Sequence, residues 1–295
     1  MIRLPGEGPE DVLVGTDGSV LTGLLDGRIL RVSADGQTIS TLGETGGRPL
    51  GLERLPDGTL LVCDAYRGLL QVDAHGNVQT LATEAEGRTF VFCNNAAVTA
   101  DGTIYFTDSS ARFSVDRWKA DLLEHSDTGR LLRRTPDGKI DVLRNGMSFP
   151  NGVALSADET RLFVAETSSY RLLSMDLPGG ELTEAAPLPG FPDNIARGSD
   201  GLIWVAVASP RDAVLDFLLP RPPVLRKLAW AVPDVLLPQP KKVIDIQAYD
   251  ESGRLVHDVS TRNGDFFMPT GVREHDGRVW LGSLRGGYLA WFDKP

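Results

Sequence analysis

Six short openings recur along the chain, and the residue in second place of each sets what chemistry is within reach. They read Pro9-Glu10-Asp11-Val12, Pro49-Leu50-Gly51-Leu52, Cys93-Asn94-Asn95-Ala96, Pro150-Asn151-Gly152-Val153, Pro192-Asp193-Asn194-Ile195 and Pro269-Thr270-Gly271-Val272. If the units are equivalent, the second residues make one ring: Glu10, Leu50, Asn94, Asn151, Asp193 and Thr270. Two carboxylates and two amide carbonyls are hard oxygen donors without thiolate or imidazole, a set that suits Ca²⁺ and disfavours zinc. Without a cation, Glu10 and Asp193 would face each other partly desolvated, and one would have to hold a proton. A polar channel filled with ordered water is the competing reading of the same ring.

The elements that must position this ring follow from the spacing. Seven residues after Glu10, Leu50, Asn94, Asn151 and Asp193, and six after Thr270, comes an acidic turn residue: Asp17, Asp57, Asp101, Asp158, Asp200 and Asp276. Each except Asp158, which precedes Glu159, is followed by Gly. Asp-Gly supplies the φ > 0 turn of a tight hairpin, and short β-branched or aromatic runs follow it, as in Thr103-Ile104-Tyr105-Phe106 and Leu202-Ile203-Trp204-Val205. A period of about 40 residues with four short strands predicts an all-β fold, a six-bladed β-propeller, since one blade alone leaves its faces uncovered. The sixth unit ends early at Pro295, and Met1-Ile2-Arg3-Leu4 is expected to supply its outermost strand.

The repeat runs end to end, so residues 1–295 read as a single domain with two insertions. The first, 109–129, contains Val115–His125, whose apolar spacing suits a helical turn or two; the second, 210–242, is proline-dense and allows only short helices between bends. Both are expected to roof the central channel. The 40 acidic and 30 basic residues give a net charge of −10, which argues against nucleic acid and anionic membranes as main partners. No stretch approaches a membrane span and no leader opens the chain, so a cytoplasmic location is expected. Cys63 and Cys93 read as reduced, buried thiols.

Gly8 through Val12, Asn94-Asn95 through Asp108, Phe149 through Ala154, Pro192 through Ile195 and Gly271 through Gly277 together resemble the gluconolactonase and senescence-marker-protein superfamily. The blade-5 insertion, Gly129-Arg130-Leu131-Leu132 and Leu281-Gly282-Ser283 resemble its strictosidine synthase-like branch. The resemblance covers essentially the whole chain. It implies kinship with paraoxonases and diisopropyl-fluorophosphatase, whose axial Ca²⁺ is held by a Glu, two Asn and an Asp. By position these are Glu10, Asn94, Asn151 and Asp193, with Asn194 a candidate fifth. The branch's alkaloid-forming enzymes use a Glu at the opening of the last blade, where this chain has Thr270, so Pictet–Spengler condensation is disfavoured. Asn95 stands where relatives often carry Asp, which puts a second metal there in doubt. No histidine matches the paraoxonase pair, and only His125, in the first insertion, could reach the site, a solvated insertion residue being the competing reading.

A bound Ca²⁺ would stabilise a developing oxyanion as a Lewis acid, so hydrolysis of a small lactone or ester is the expected activity, with Asp193 first and Glu10 second as base or nucleophile. A noncatalytic binding propeller with a structural metal, and a metal-assisted lyase or isomerase, are the alternatives. Contacts from Asn194, Asn95, Thr270, Leu50 and His125 to metal or substrate are further expectations.

Overall fold

The chain folds into six antiparallel four-stranded sheets ringed about one axis, with the inner strand of each starting at one of the six openings. A computed structural model describes residues 1–218, 221 and 241–295. The inner strands are Leu13–Val14, Pro49–Arg54, Cys93–Val98, Pro150–Leu155, Gly190–Arg197 and Pro269–His275. The sixth sheet is completed by Ile2–Arg3, with Ile2 opposite Leu289 and Arg3 opposite Tyr288, so the N-terminal segment closes the ring as expected. Six apolar clusters fill the six junctions between neighbouring blades. Reduced Cys63 and Cys93 lie in the cluster between blades 2 and 3.

The acidic turns work as the sequence suggests. Gly18, Gly58, Gly102, Gly201 and Gly277 all have positive φ, and Asp17, Asp57, Asp101, Asp158 and Asp200 each accept the backbone N–H two residues on. At the exception, Glu159 itself takes φ 58. Its carboxylate accepts the Ala100 N–H at 3.1 Å, a contact to the preceding blade that glycine would lack.

Two devices set the openings. In blades 2 to 6 the ladder slips at the opening: Pro49 pairs with Asp64 but Leu52 with Val62, and the same slip recurs at Cys93/Ala96, Pro150/Val153, Pro192/Ile195 and Pro269/Val272. The extra residue of each bulge re-aims the side chains there. Bonds across blades then hold the ring together. Thr107 Oγ1 donates to Asn151 O at 2.7 Å, Thr167 Oγ1 to Pro192 O at 2.7 Å and Thr270 Oγ1 to Glu10 O at 2.6 Å. Openings of blades 2, 4 and 6 carry Gly in third place, and at Gly152 a Cβ would fall 2.2 Å from Ile195 N, so only glycine lets blades 4 and 5 approach.

Candidate metal centre and cavity

Glu10, Leu50, Asn94, Asn151 and Asp193 line one cavity of about 400 Å³. Every donor of the ring except Thr270 therefore reaches the same space. The amide groups are turned in a consistent way. Asn94 Nδ2 donates to Ser109 Oγ at 2.8 Å, Asn151 Nδ2 to Asp193 Oδ1 at 2.8 Å, and Asn194 Nδ2 to both oxygens of Glu10 at 3.2 Å. Each bond engages the amide nitrogen, and the oxygens Oδ1 of Asn94, Asn151 and Asn194 are buried without a donor among the described residues. A buried acceptor without a partner is costly. Three of them beside two carboxylates form a set that a hard cation would satisfy.

The carboxylates report the same deficit of positive charge. Burial, with Asp193 and Asp11 nearby, pushes Glu10 well above the usual carboxylate range, against the opposing pull of Arg48 and Asn194. Asp193 is raised to about 7, chiefly by burial. Among the described residues no three His, Cys, Asp or Glu side chains form a metal-binding group. An ion here would therefore rest on amide oxygens together with two carboxylates, and the residues present fit Ca²⁺.

The other sequence candidates have defined places. Asn194 sits against Glu10. Asn95 Oδ1 accepts the Val153 N–H at 3.0 Å and Thr270 is bonded to Glu10 O, so both brace neighbouring blades and neither lines the cavity. His125 is also outside the lining. It ends the first insertion's helix with φ 53, and its Nε2 lies 3.4 Å from Ser148 Oγ and 3.6 Å from Asp127 Oδ1. Its partners are thus Ser148 and Asp127, and the expected contact with the site is not among those it makes. His257 stacks on Trp204 in an outer strand of blade 5.

Described residues of both insertions line the cavity. Residues Val115–Arg117 form a 3₁₀ turn that runs into α1 (Trp118–Glu124), and Val115, Trp118, Leu122 and Leu123 line the wall. From the second insertion, α2 (Ala213–Leu218) contributes Val214, Leu215 and Leu218. The short helices expected further along it, within 222–240, lie outside the described residues. Asp212 Oδ1 caps α2 through the N–H groups of Val214 and Leu215, and Arg211 lies over the Tyr170 ring at 4.5 Å.

Sequence reasoning missed the collar around the ring. The residue preceding each opening is Gly8, Arg48, Phe92, Phe149, Phe191 or Met268. Phe92, Phe149, Phe191 and Met268 line the cavity, with Phe92 packed edge-on against Phe149 at 5.3 Å. The recurrence of large apolar residues at this one repeat position was the available signal. Arg48, buried beside Glu10, donates Nη1 to Gly8 O at 2.8 Å. Behind blade 3, buried Arg130 pairs with Asp108 at 2.6 Å, and Asp108 accepts the N–H groups of Val91 and Phe92, fixing the approach to Asn94.

Comparison with known proteins agrees with this architecture. The family model described as SMP-30/Gluconolactonase/LRE-like region matches residues 11–217. Adipocyte plasma membrane-associated protein of Salmo salar is 34% identical over 323 residues, covering 96% of this chain and 76% of that protein. Protein STRICTOSIDINE SYNTHASE-LIKE 13 of Arabidopsis thaliana is 34% identical over 265 residues, covering 84% and 62% respectively. Among solved structures, a gluconolactonase from Xanthomonas campestris superposes with a TM-score of 0.72 at 18% identity over 99% of this chain and 91% of its own. A calcium-binding protein, regucalcin, from Agrobacterium tumefaciens gives 0.66 at 16% identity over 97% and 88%. At those identities the structures speak for the shared fold alone. With a family match across most of its length and relatives above 30% identity over nearly all of it, the chain belongs to the SMP-30/gluconolactonase/LRE-like family.

Proposed function

We propose that the chain is a Ca²⁺-dependent hydrolase of small, largely apolar esters or lactones. The observation that carries this reading is the convergence on one cavity of two carboxylates, Glu10 and Asp193, and two buried amides, Asn94 and Asn151, whose oxygens have no donor among the described residues, with a third such amide, Asn194, behind Glu10. Glu10, Asn94, Asn151 and Asp193 would hold the ion, with Asn194 as a fifth oxygen, and the ion would supply Lewis-acid stabilisation of negative charge on a bound carbonyl oxygen. The chain's own contribution is positional. Ser109 fixes the face that Asn94 presents, and Asp193 does the same for Asn151. The collar of Phe92, Phe149 and Phe191, under Trp118 and Leu215, excludes water and accepts an apolar acyl or aryl group. Asp193, hydrogen-bonded to Asn151 in the cavity lining, is the first choice to take the proton of an attacking water, and Glu10 is the second. Support from the comparisons extends to the family and to regucalcin, a calcium-binding propeller of the same fold.

The test is hydrolysis of a panel of aryl esters and γ- and δ-lactones by chelator-stripped and Ca²⁺-reloaded protein, for wild type and Asp193→Asn. Turnover that appears only with Ca²⁺ and falls by about 10²- to 10⁴-fold in the variant is expected. Rates indifferent to Ca²⁺ would remove the metal from the reaction, and no turnover on any substrate would favour a binding propeller.

A further inference from the structure

One layer below the oxygen ring, three residues on from each ring position, the side chains are Leu13, Glu53, Ala97, Ala154, Ala196 and Arg273. Of these six only Glu53 and Arg273 are charged, and they pair with each other. Arg273 Nη1 reaches Glu53 Oε2 at 3.1 Å, with the two side chains only 17% and 22% exposed. The same guanidinium approaches Val12 O at 3.5 Å through Nε and Leu52 O at 3.4 Å through Nη2. Asp11, whose carboxylate accepts the N–H groups of Val12 and Leu52, is the other acid within its electrostatic reach.

The guanidinium thus contacts one carboxylate, Glu53, and two carbonyl oxygens, Val12 O and Leu52 O, with the Asp11 carboxylate beyond them and held by the Val12 and Leu52 N–H groups. That is the same chemistry as the ring above it, where two carboxylates and amide oxygens await a cation. The positive group near the ring is Arg48, which is buried beside Glu10 and donates to Gly8 O, whereas in the lower set Arg273 itself stands among the oxygens. The contact ties blade 6 to blades 1 and 2 just where the inner strand of blade 1 is reduced to Leu13–Val14.

We propose that Arg273 is a built-in cation of the axial channel, which occupies a second hard-oxygen cage beneath the ring and thereby limits the protein to one divalent ion. This inference rests on the metal reading of the ring above. It makes Arg273 a positioning residue, and removal of its charge should convert the lower cage into a Ca²⁺ site.

The experiment is Ca²⁺ titration of chelator-stripped protein by calorimetry, with elemental analysis after desalting. Wild type is expected to take one ion, Arg273→Ala two, and Arg273→Lys one, because the ammonium restores the charge. In the double variant Arg273→Met with Glu53→Gln the cage loses an acid as well, and one ion is expected again. If Arg273→Ala fails to fold when stripped, its recovery of the wild-type circular dichroism spectrum on addition of Ca²⁺ supports the proposal, and failure to recover overturns it. One ion in both wild type and a folded Arg273→Ala overturns this inference and leaves the metal reading standing. No ion in wild type overturns both.

Discussion

Gly152→Ala should damage the candidate metal centre without touching a ligand. A Cβ at residue 152 would stand 2.2 Å from Ile195 N and 2.7 Å from both the Cα and carbonyl carbon of Asn194. Ordinary contact begins near 3.4 Å, so the inner strands of blades 4 and 5 must part by about 1 Å. The obstacles are backbone atoms, which have no rotamer to escape into. Overpacking of this kind costs about 3 kcal/mol, which for a chain of this size lowers the unfolding midpoint by roughly 6–12 °C. Asn151 and Asp193 lie on the two strands being separated, and a metal site tolerates only about 0.2 Å in its ligand distances. Ca²⁺ affinity should therefore fall by about 100-fold. Gly264→Ala is the control, because nothing lies within 4 Å of its added methyl and its φ is not positive. It should change stability by less than about 0.5 kcal/mol. Thermal unfolding with and without Ca²⁺ reads both effects. A Gly152→Ala protein that melts within about 1 °C of wild type and binds Ca²⁺ normally would refute the claim that blade-to-blade closeness sets the ring.

Three further outcomes follow from the same geometry. Asp193 and Asp11 are raised to about 7 and about 6 by burial. The folded, stripped protein therefore binds more protons than the unfolded chain, and its stability should fall as pH rises from about 4 to about 7; urea titrations should show that slope, and saturating Ca²⁺ should flatten it by displacing the protons. Arg130→Met leaves Asp108 buried without its partner and should cost about 3–5 kcal/mol in chemical denaturation. Leu215→Ala enlarges the apolar wall formed by α2, so the ratio of rates for long over short acyl esters should shift by about fivefold or more while Ca²⁺ stoichiometry stays at one.

The fold and most of the ring were legible because both are written in the repeat. Asp-Gly turns at fixed distance from each opening require one backbone conformation, and the short sixth unit required a strand from elsewhere, which Ile2–Arg3 supplies. The second-place residues converge because each bulge repeats at the same point of its ladder. What escaped was set by contacts between blades. Nothing in the sequence of Thr270 tells that its hydroxyl is spent on Glu10 O, or that Asn95 holds the Val153 N–H, because those partners lie 260 and 58 residues away. His125 looked available because its helix was expected, yet the left-handed turn at its end directs the ring to Ser148 and Asp127. The aromatic collar was within reach of the repeat alignment, one position before the openings.

The central claim, that Glu10, Asn94, Asn151 and Asp193 hold a divalent cation at the cavity floor, is tested most directly by anomalous diffraction from a crystal of the wild-type chain soaked in Mn²⁺ or Ca²⁺. A single axial peak is predicted, within about 2.6 Å of the carboxylate oxygens of Glu10 and Asp193 and of Oδ1 of Asn94 and Asn151. A fully soaked crystal with no peak there, or with the ion elsewhere and those amide oxygens bonded only to water, would contradict it.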